Sequence, residues 1–385
     1  MTSHFVLLGV LVGLIVALEL LNAYFELLFN TQKAALEEDI EKGRRGSGAI
    51  NQVWLGLRVS GSKLVEGMAF VSLYFHELMH AIVQLASGAK PRIVLCKNGG
   101  YAESRPWGKS GIYNLAVALG TGLLRGVCGM APLLGGSAVI YLCVRYLAPL
   151  EPGTLGMLGD SVGAASSTGG MLAALGQATW HLLAAIGGAP IGAIVVIVLV
   201  ALTLGWGLTP SSADFHNAAP HLLAYALAYL SAAAWLPSSG LLIAIGVLGV
   251  PVYLFALLKL NRFGIPWLIG GYTMSCGLLG LLALFGALGP APALGLASGL
   301  ASLIVVLLLA SSLYAVFLIG LFGLAMINKP SRAFVQRKYG TQTGPGVLGS
   351  LVRSFDTCTS CKLHFRGKCD GCGRTAAEIR AAEAA

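Results

Sequence analysis

Residues 297–327 read ASGLASLIVVLLLASSLYAVFLIGLFGLAMI, 31 consecutive positions without a charged side chain. A helix gains about 1.5 Å per residue, so about 20 apolar residues cross a hydrocarbon core of about 30 Å. This stretch reads as a membrane-spanning helix. Working outward, comparable runs occur at 5–29, 65–87, 112–148, 171–187 paired with 190–208, 219–236, 239–259 and 266–288. Only 11% of the 385 residues are charged, where a soluble domain carries about a quarter. That shortage excludes a soluble globular enzyme, and it also excludes a disordered chain or a coiled coil, which need abundant charge. A membrane barrel would show alternating segments of about ten residues, and none is visible. The expected fold is an all-α polytopic membrane protein with about eight transmembrane helices and a small cytoplasmic tail that binds zinc through four cysteines.

The charges divide the chain. From Asn328 to the end there are ten Lys/Arg against four acids, +6 of the net +9. Basic segments beside a last span stay on the cytoplasmic side, which puts the C-terminus of this multi-pass protein in the cytoplasm. The same tail suits contact with the anionic bilayer surface; nucleic acid is not the expected partner. The first apolar run has no Lys or Arg before it and no small-residue cleavage site after it, so it reads as an uncleaved span. Basic loops at 31–63 and 89–111 flank the second span, which one crossing cannot reconcile. Six segments follow: 1–63, a first span and polar loop; 64–236, a membrane core; 237–328, further spans; 329–357, a basic linker; 358–374, a cysteine module; 375–385, a tail. Glu151–Gly170 reads as a Gly-rich loop. Gly9/Gly13 and Gly122/Gly126 have a small-xxx-small spacing that suits close helix packing.

Within the second span stands His76-Glu77-Leu78-Met79-His80. Residues four apart share a helix face, so His76 and His80 can offer two imidazole nitrogens to one zinc ion. Such an ion needs a further protein ligand and an open position for water. Glu77, one residue round, is placed to act as general base on that water. Two His and a Glu inside a membrane helix face a functional interior. Among other polar groups, Glu66 reads as the mark of the helix start. Glu19 and Glu26 are possible partners of Arg125, Asn114 reads as an interhelical hydrogen bond, and His181 as a satisfied interior histidine.

Phe75–Ala81, followed by Gly88 and by Gly99-Gly100-Tyr101, resembles the site-2 protease group of intramembrane zinc metallopeptidases. The likeness covers residues 64 to about 220, and Gly129–Gly136 is similar to the membrane segment of its more divergent branches. It implies a zinc metalloendopeptidase acting on a membrane protein substrate in regulated intramembrane proteolysis. It also implies an Asp from a later span as third ligand. That family carries this Asp in a Leu-Asp-Gly motif, and no span here contains one.

Chemistry must then name the ligand. Asp214 is the only acid between Ser161 and Phe355 and would complete a site of two His and one Asp. Ser211 three residues before it also fits a helix cap, and His216 and His221 are alternative ligands. Gly99–Ser104 suggests either an extended edge that holds an unwound substrate by strand addition or a plain turn.

At the far end, Cys358-x₂-Cys361-x₇-Cys369-x₂-Cys372 pairs two C-x-x-C knuckles, the spacing of a closed, structural four-cysteine zinc site. This module is a candidate contact for a protein partner. Cys96, Cys128, Cys143 and Cys276 read as packing. The expected cofactors are therefore one catalytic and one structural Zn2+. The rival readings are a catalytically inactive, protease-derived scaffold and an ion or metal transporter. The acid-poor second half speaks against the transporter.

Overall fold

The computed structural model describes residues 2–41, 49–96, 99–105, 111–205, 207–208, 212–260, 264–328, 330–331, 333–334, 356–357, 364–365, 372–375 and 378–379. Ten α-helices carry most of them: α1 Thr2–Glu41, α2 Ala49–Ala86, α3 Gly111–Leu147, α4 Thr154–Gly163, α5 Thr168–Gly187, α6 Ile191–Gly205, α7 Ser212–Trp235, α8 Ser239–Lys259, α9 Ile265–Leu284 and α10 Pro292–Ile327. Between α2 and α3 lie β1 Lys90–Cys96 and β2 Gly99–Arg105, and near the C-terminus two-residue strands β3 Asp356–Thr357 and β4 His364–Phe365. Five stretches are long and apolar enough to cross a membrane: Leu55–Ala86, Asn114–Leu147, Asn217–Lys259, Ile265–Leu284 and Pro292–Val316. The protein is thus a helical, membrane-embedded one.

Five is fewer than the eight spans the sequence suggests, for three reasons, the first being that among the described residues the apolar part of α1 is Ser3–Leu18, too short to count as a crossing. At 15 residues, α6 falls short of a full crossing. The 43 residues Asn217–Lys259 in turn contain two helices, broken at the 3-10 turn Leu236–Ser238. They fold as a hairpin, since His221 of α7 and Tyr253 of α8 both meet Trp267 of α9.

The helices form two groups. In one, α1, α3, α5, α6 and α10 bury Leu7, Val144, Leu182, Ile197 and Ile304 together. In the other, Ala228, Ala232, Leu242 and Cys276 pack α7, α8 and α9. A third cluster, with Met130, Leu133, Leu204, Leu208 and Leu307, lies between them. These contacts run through small residues, because apolar surface alone gives helices in lipid no reason to associate and close approach must supply the attraction. A Cβ on Gly122 would strike the Tyr253 ring, and one on Gly126 would strike His221 and Tyr225. Gly9 and Gly13, with the same spacing, face open space, so the spacing marks a contact in α3 and none in α1.

Residues 151–170 are not simply a loop, since α4 fills 154–163. Its Gly159 and Gly163 press on Ser298 of α10; glycines that suggest a flexible loop serve here as a contact surface. Helix α2 begins at Ala49, well inside the stretch that reads as a polar loop, and α1 runs on to Glu41. Glu66 therefore sits mid-helix rather than at a start, exposed and paired with Lys33 of α1 at 3.0 Å. Arg58 and Asp39 add a second ion pair between these two helices at 2.5 Å.

Two residues past the end of α2, Gly88, with a φ of 86°, turns the chain out of the helix direction. The strands β1 and β2 then form an antiparallel hairpin from Lys90↔Arg105 to Cys96↔Gly99, so the Gly99–Ser104 segment is a strand.

Candidate metal centre

Two helices bring the site together. His76, Glu77 and His80 lie on α2, all three buried. Asp214, half-buried, stands in the first turn of α7. His76 Nε2 lies 3.3 Å from Asp214 Oδ2 and His80 Nε2 lies 3.4 Å from Asp214 Oδ1. The two Nε2 atoms are 3.1 Å apart. Among the described residues this is the one His/Cys/Asp/Glu group whose ligand atoms converge closely enough to hold a metal ion.

The close packing of three helices fixes that convergence. A Cβ on Gly135 of α3 would overlap Met79, and one on Gly136 would overlap Leu208 and approach Phe75, so these glycines let α2 settle on α3. Gly129, further back along the same helix, performs the same service for α7, where a Cβ would come within 2.6 Å of the Ala218 Cβ and 2.8 Å of the Asp214 carbonyl.

Both imidazoles are oriented by backbone carbonyls. His76 Nδ1 is 2.9 Å from the Gly207 oxygen, and His80 Nδ1 is 2.7 Å from the Cys128 oxygen. A carbonyl only accepts, so each Nδ1 carries the proton and donates it, leaving each Nε2 with a lone pair directed at the common centre. The sequence explains why those two carbonyls are available. In α3 the Cys128 carbonyl would accept from the N–H of residue 132, but residue 132 is Pro and has none. Gly207 lies just past the end of α6, in the break before α7. A Cβ there would meet Ser72 of α2 at 2.6 Å, so only glycine lets its carbonyl come so near His76.

The donor set fits a metal ion. Two lone pairs 3.1 Å apart repel unless a positive charge stands between them. Donors each about 2.0–2.1 Å from a tetrahedral zinc ion stand about 3.3–3.4 Å from one another, and the observed separations of 3.1, 3.3 and 3.4 Å bracket that edge. Carbonyl acceptors on the far side of each ring are the usual outer support of such ligands.

Glu77 points beside this centre, where its carboxylate accepts a hydrogen bond from the Ala102 backbone of β2. The Gln84 side-chain amide of α2 donates to the Ala102 carbonyl at 3.0 Å. The middle of β2 is thus tied to the metal-bearing helix through its own backbone.

Other expected residues fall elsewhere. His221 is fully buried against Trp267 and does not reach the metal cluster; the His216 side chain lies outside the described residues. His181 is exposed on α5 rather than satisfied in the interior, and Asn114 is exposed near the start of α3. Arg125 stacks on Trp267, while the side chains of Glu19 and Glu26 lie outside the described residues. Cys143 and Cys276 sit in the packed clusters as expected; Cys128 lends its carbonyl to His80 instead. Of the four-cysteine motif, Cys358, Cys361 and Cys369 lie outside the described residues, and Cys372 is exposed. The residues missed in the sequence are Gly207 and Cys128, which act through peptide groups. The one signal for either was Pro132, four residues beyond Cys128. Compared with models of known protein families, with curated proteins and with solved structures, the chain matches none.

Proposed function

We propose that this chain is an intramembrane zinc metalloprotease that hydrolyses a peptide bond of a membrane-embedded or membrane-proximal protein. The observation that carries the reading is the convergence of His76, His80 and Asp214 on one point, with the buried carboxylate of Glu77 beside His76. Zinc held by those three side chains would supply a Lewis acid, lowering the pKa of a water and polarising a carbonyl. Glu77 would take the proton of the attacking water and pass it to the leaving amine nitrogen. The Gly207 and Cys128 carbonyls keep both histidines in the tautomer that leaves Nε2 available. Strand β2 offers an extended backbone near Glu77, and an unwound substrate segment can align by strand addition along the parts of its outer edge that flank Ala102, whose own backbone is held by Glu77 and Gln84. The two C-x-x-C pairs of the tail would hold a second, structural zinc and present a surface to a protein partner. Retention of the basic tail places it in the cytoplasm.

The deciding experiment uses the purified full chain in lipid nanodiscs with a panel of single-span membrane proteins. Wild type is expected to release fragments with new termini. Glu77→Gln is expected to keep its zinc and lose about 10²–10⁴-fold in rate. Equal cleavage by Glu77→Gln would exclude the mechanism. Zinc bound without any cleavage by wild type would favour the scaffold reading instead.

A further inference from the structure

Strand β2 has two edges, and β1 takes one of them. In their antiparallel register Ala102 stands opposite Ile93. Alternate residues of such a ladder exchange backbone hydrogen bonds with the partner strand, and the residues between them point both groups outward. Ala102 is one of the outward-pointing kind. Its N–H donates to the Glu77 carboxylate, and its carbonyl accepts from the Gln84 side-chain amide at 3.0 Å.

A donor and an acceptor on one residue, both answered from the same side, are what a residue of a third antiparallel strand would satisfy. Here two side chains of α2 do so instead. Glu77 and Gln84 are seven residues apart, two turns along one helix, so they leave it on the same face. The carboxylate stands where a strand carbonyl would be, and the primary amide where a strand N–H would be. The outer edge of β2 is thereby capped at its midpoint by the metal-bearing helix.

The cap carries a built-in weakness. Gln84 Oε1 is buried and, among the described residues, has no hydrogen-bond partner. A buried carbonyl left unanswered costs free energy, so the capped arrangement bears a penalty that withdrawal of the side chain relieves. On either side of Ala102 the backbone groups of Gly100 and Ser104 point the same way, by the two-residue period of a strand. They give an incoming peptide strand a place to begin pairing.

We propose that Glu77 and Gln84 form a strand-mimicking latch, which an extended substrate segment displaces as it pairs with β2. The segment starts on Gly100 or Ser104 and replaces the two side chains at Ala102 with its own carbonyl and N–H. Gln84 then swings out, and Glu77 recovers the oxygen that the Ala102 N–H had engaged. The general base is thus released by the segment on which it is to act. This extends the protease reading and rests on it for what Glu77 does next, whereas the latch itself requires no hydrolysis.

The test reads the latch in the full chain in phosphatidylcholine nanodiscs, without any cleavage. Hydrogen–deuterium exchange is followed over β2, together with binding of a fluorescent, acetylated hexapeptide of alternating valine and threonine. Gln84→Ala is expected to speed exchange at Ala102 about three- to tenfold, the weight of one hydrogen bond, and to tighten hexapeptide binding by a similar factor. Gln84→Met keeps length and bulk without the donor and should shift both readings in the same direction; it decides should Gln84→Ala aggregate. His181→Ala, at an exposed position on α5, should behave as wild type does. Unchanged exchange in the Gln84 variants would overturn the proposal. Faster exchange without tighter binding would do so too, since the edge would open without admitting a strand. Weaker binding would make Gln84 a contact for the strand and not an obstacle to it. Absence of cleavage by wild type would remove the protease reading and leave the latch standing.

Discussion

His80 and His221 are both buried histidines in apolar helices, and they could hardly be more differently placed. His80 has an acceptor on Nδ1 and the metal cluster on Nε2. His221 has neither. Both rings lie against α3, near Cys128 and Gly126 respectively. What separates them is a single proline. Pro132 leaves the Cys128 carbonyl without its helical donor, so His80 finds an acceptor within the membrane segment, while the α3 carbonyls nearer His221 that accept from side chains, Ala118 and Leu123, are taken by Tyr253 and Tyr225. A histidine is held in a geometry that could bind a metal when the backbone near it has something to give.

The comparison can be broken most decisively at His80. Replacing it with Ala removes a ligand, and zinc counted in the purified protein is expected to fall by about one equivalent per chain. The second zinc proposed for the cysteine tail should remain, to be lost separately in Cys358→Ser. Full retention by His80→Ala would undo the site. Pro132→Ala is the sharper probe, because it touches no ligand. It restores an N–H to compete for the Cys128 carbonyl, and zinc affinity measured by competition with a chelator should fall about 10–100-fold, the range for lost outer support. Unchanged affinity would mean that the carbonyl is not what orients His80.

Gly129→Ala is expected to act more mildly, by forcing α7 and Asp214 away from α3. Overpacking of this kind costs about 1–3 kcal/mol, and zinc affinity should drop about tenfold while the two histidines still bind. His221→Leu stands at the low end. It should leave zinc untouched and raise stability by about 1–3 kcal/mol as an unsatisfied polar group is removed. Loss of zinc in that variant would place His221 in the metal centre after all.

The scarcity of acids made Asp214 legible, because a lone carboxylate in an apolar half is conspicuous. The four-residue spacing of His76 and His80 was legible for the same kind of reason, since it is a periodicity. Span positions followed from runs of apolar residues. Where sequence reading went astray, tertiary contact had decided the outcome. The glycines of residues 151–170 look like those of a loop until Ser298 packs on them, and Glu66 looks like a helix start until Lys33 is placed beside it. The break of α7 from α8 was legible as well, since the runs 219–236 and 239–259 part at the 3-10 turn Leu236–Ser238. Carbonyls have no letter in a sequence, so Gly207 and Cys128 could be found only in three dimensions.

Because the acceptor for His80 belongs to the peptide unit of residue 128, it is present whatever amino acid is encoded there. Substituting Ala, Ser or Val for Cys128 alters the thiol, 3.9 Å from His80 Nδ1, and leaves the carbonyl in place. A scan of point variants would therefore score position 128 as dispensable while the protein continued to depend on it. The dependence would surface four codons downstream, at a proline that supplies no ligand to the site, and a geneticist would meet it as an unexplained helix requirement.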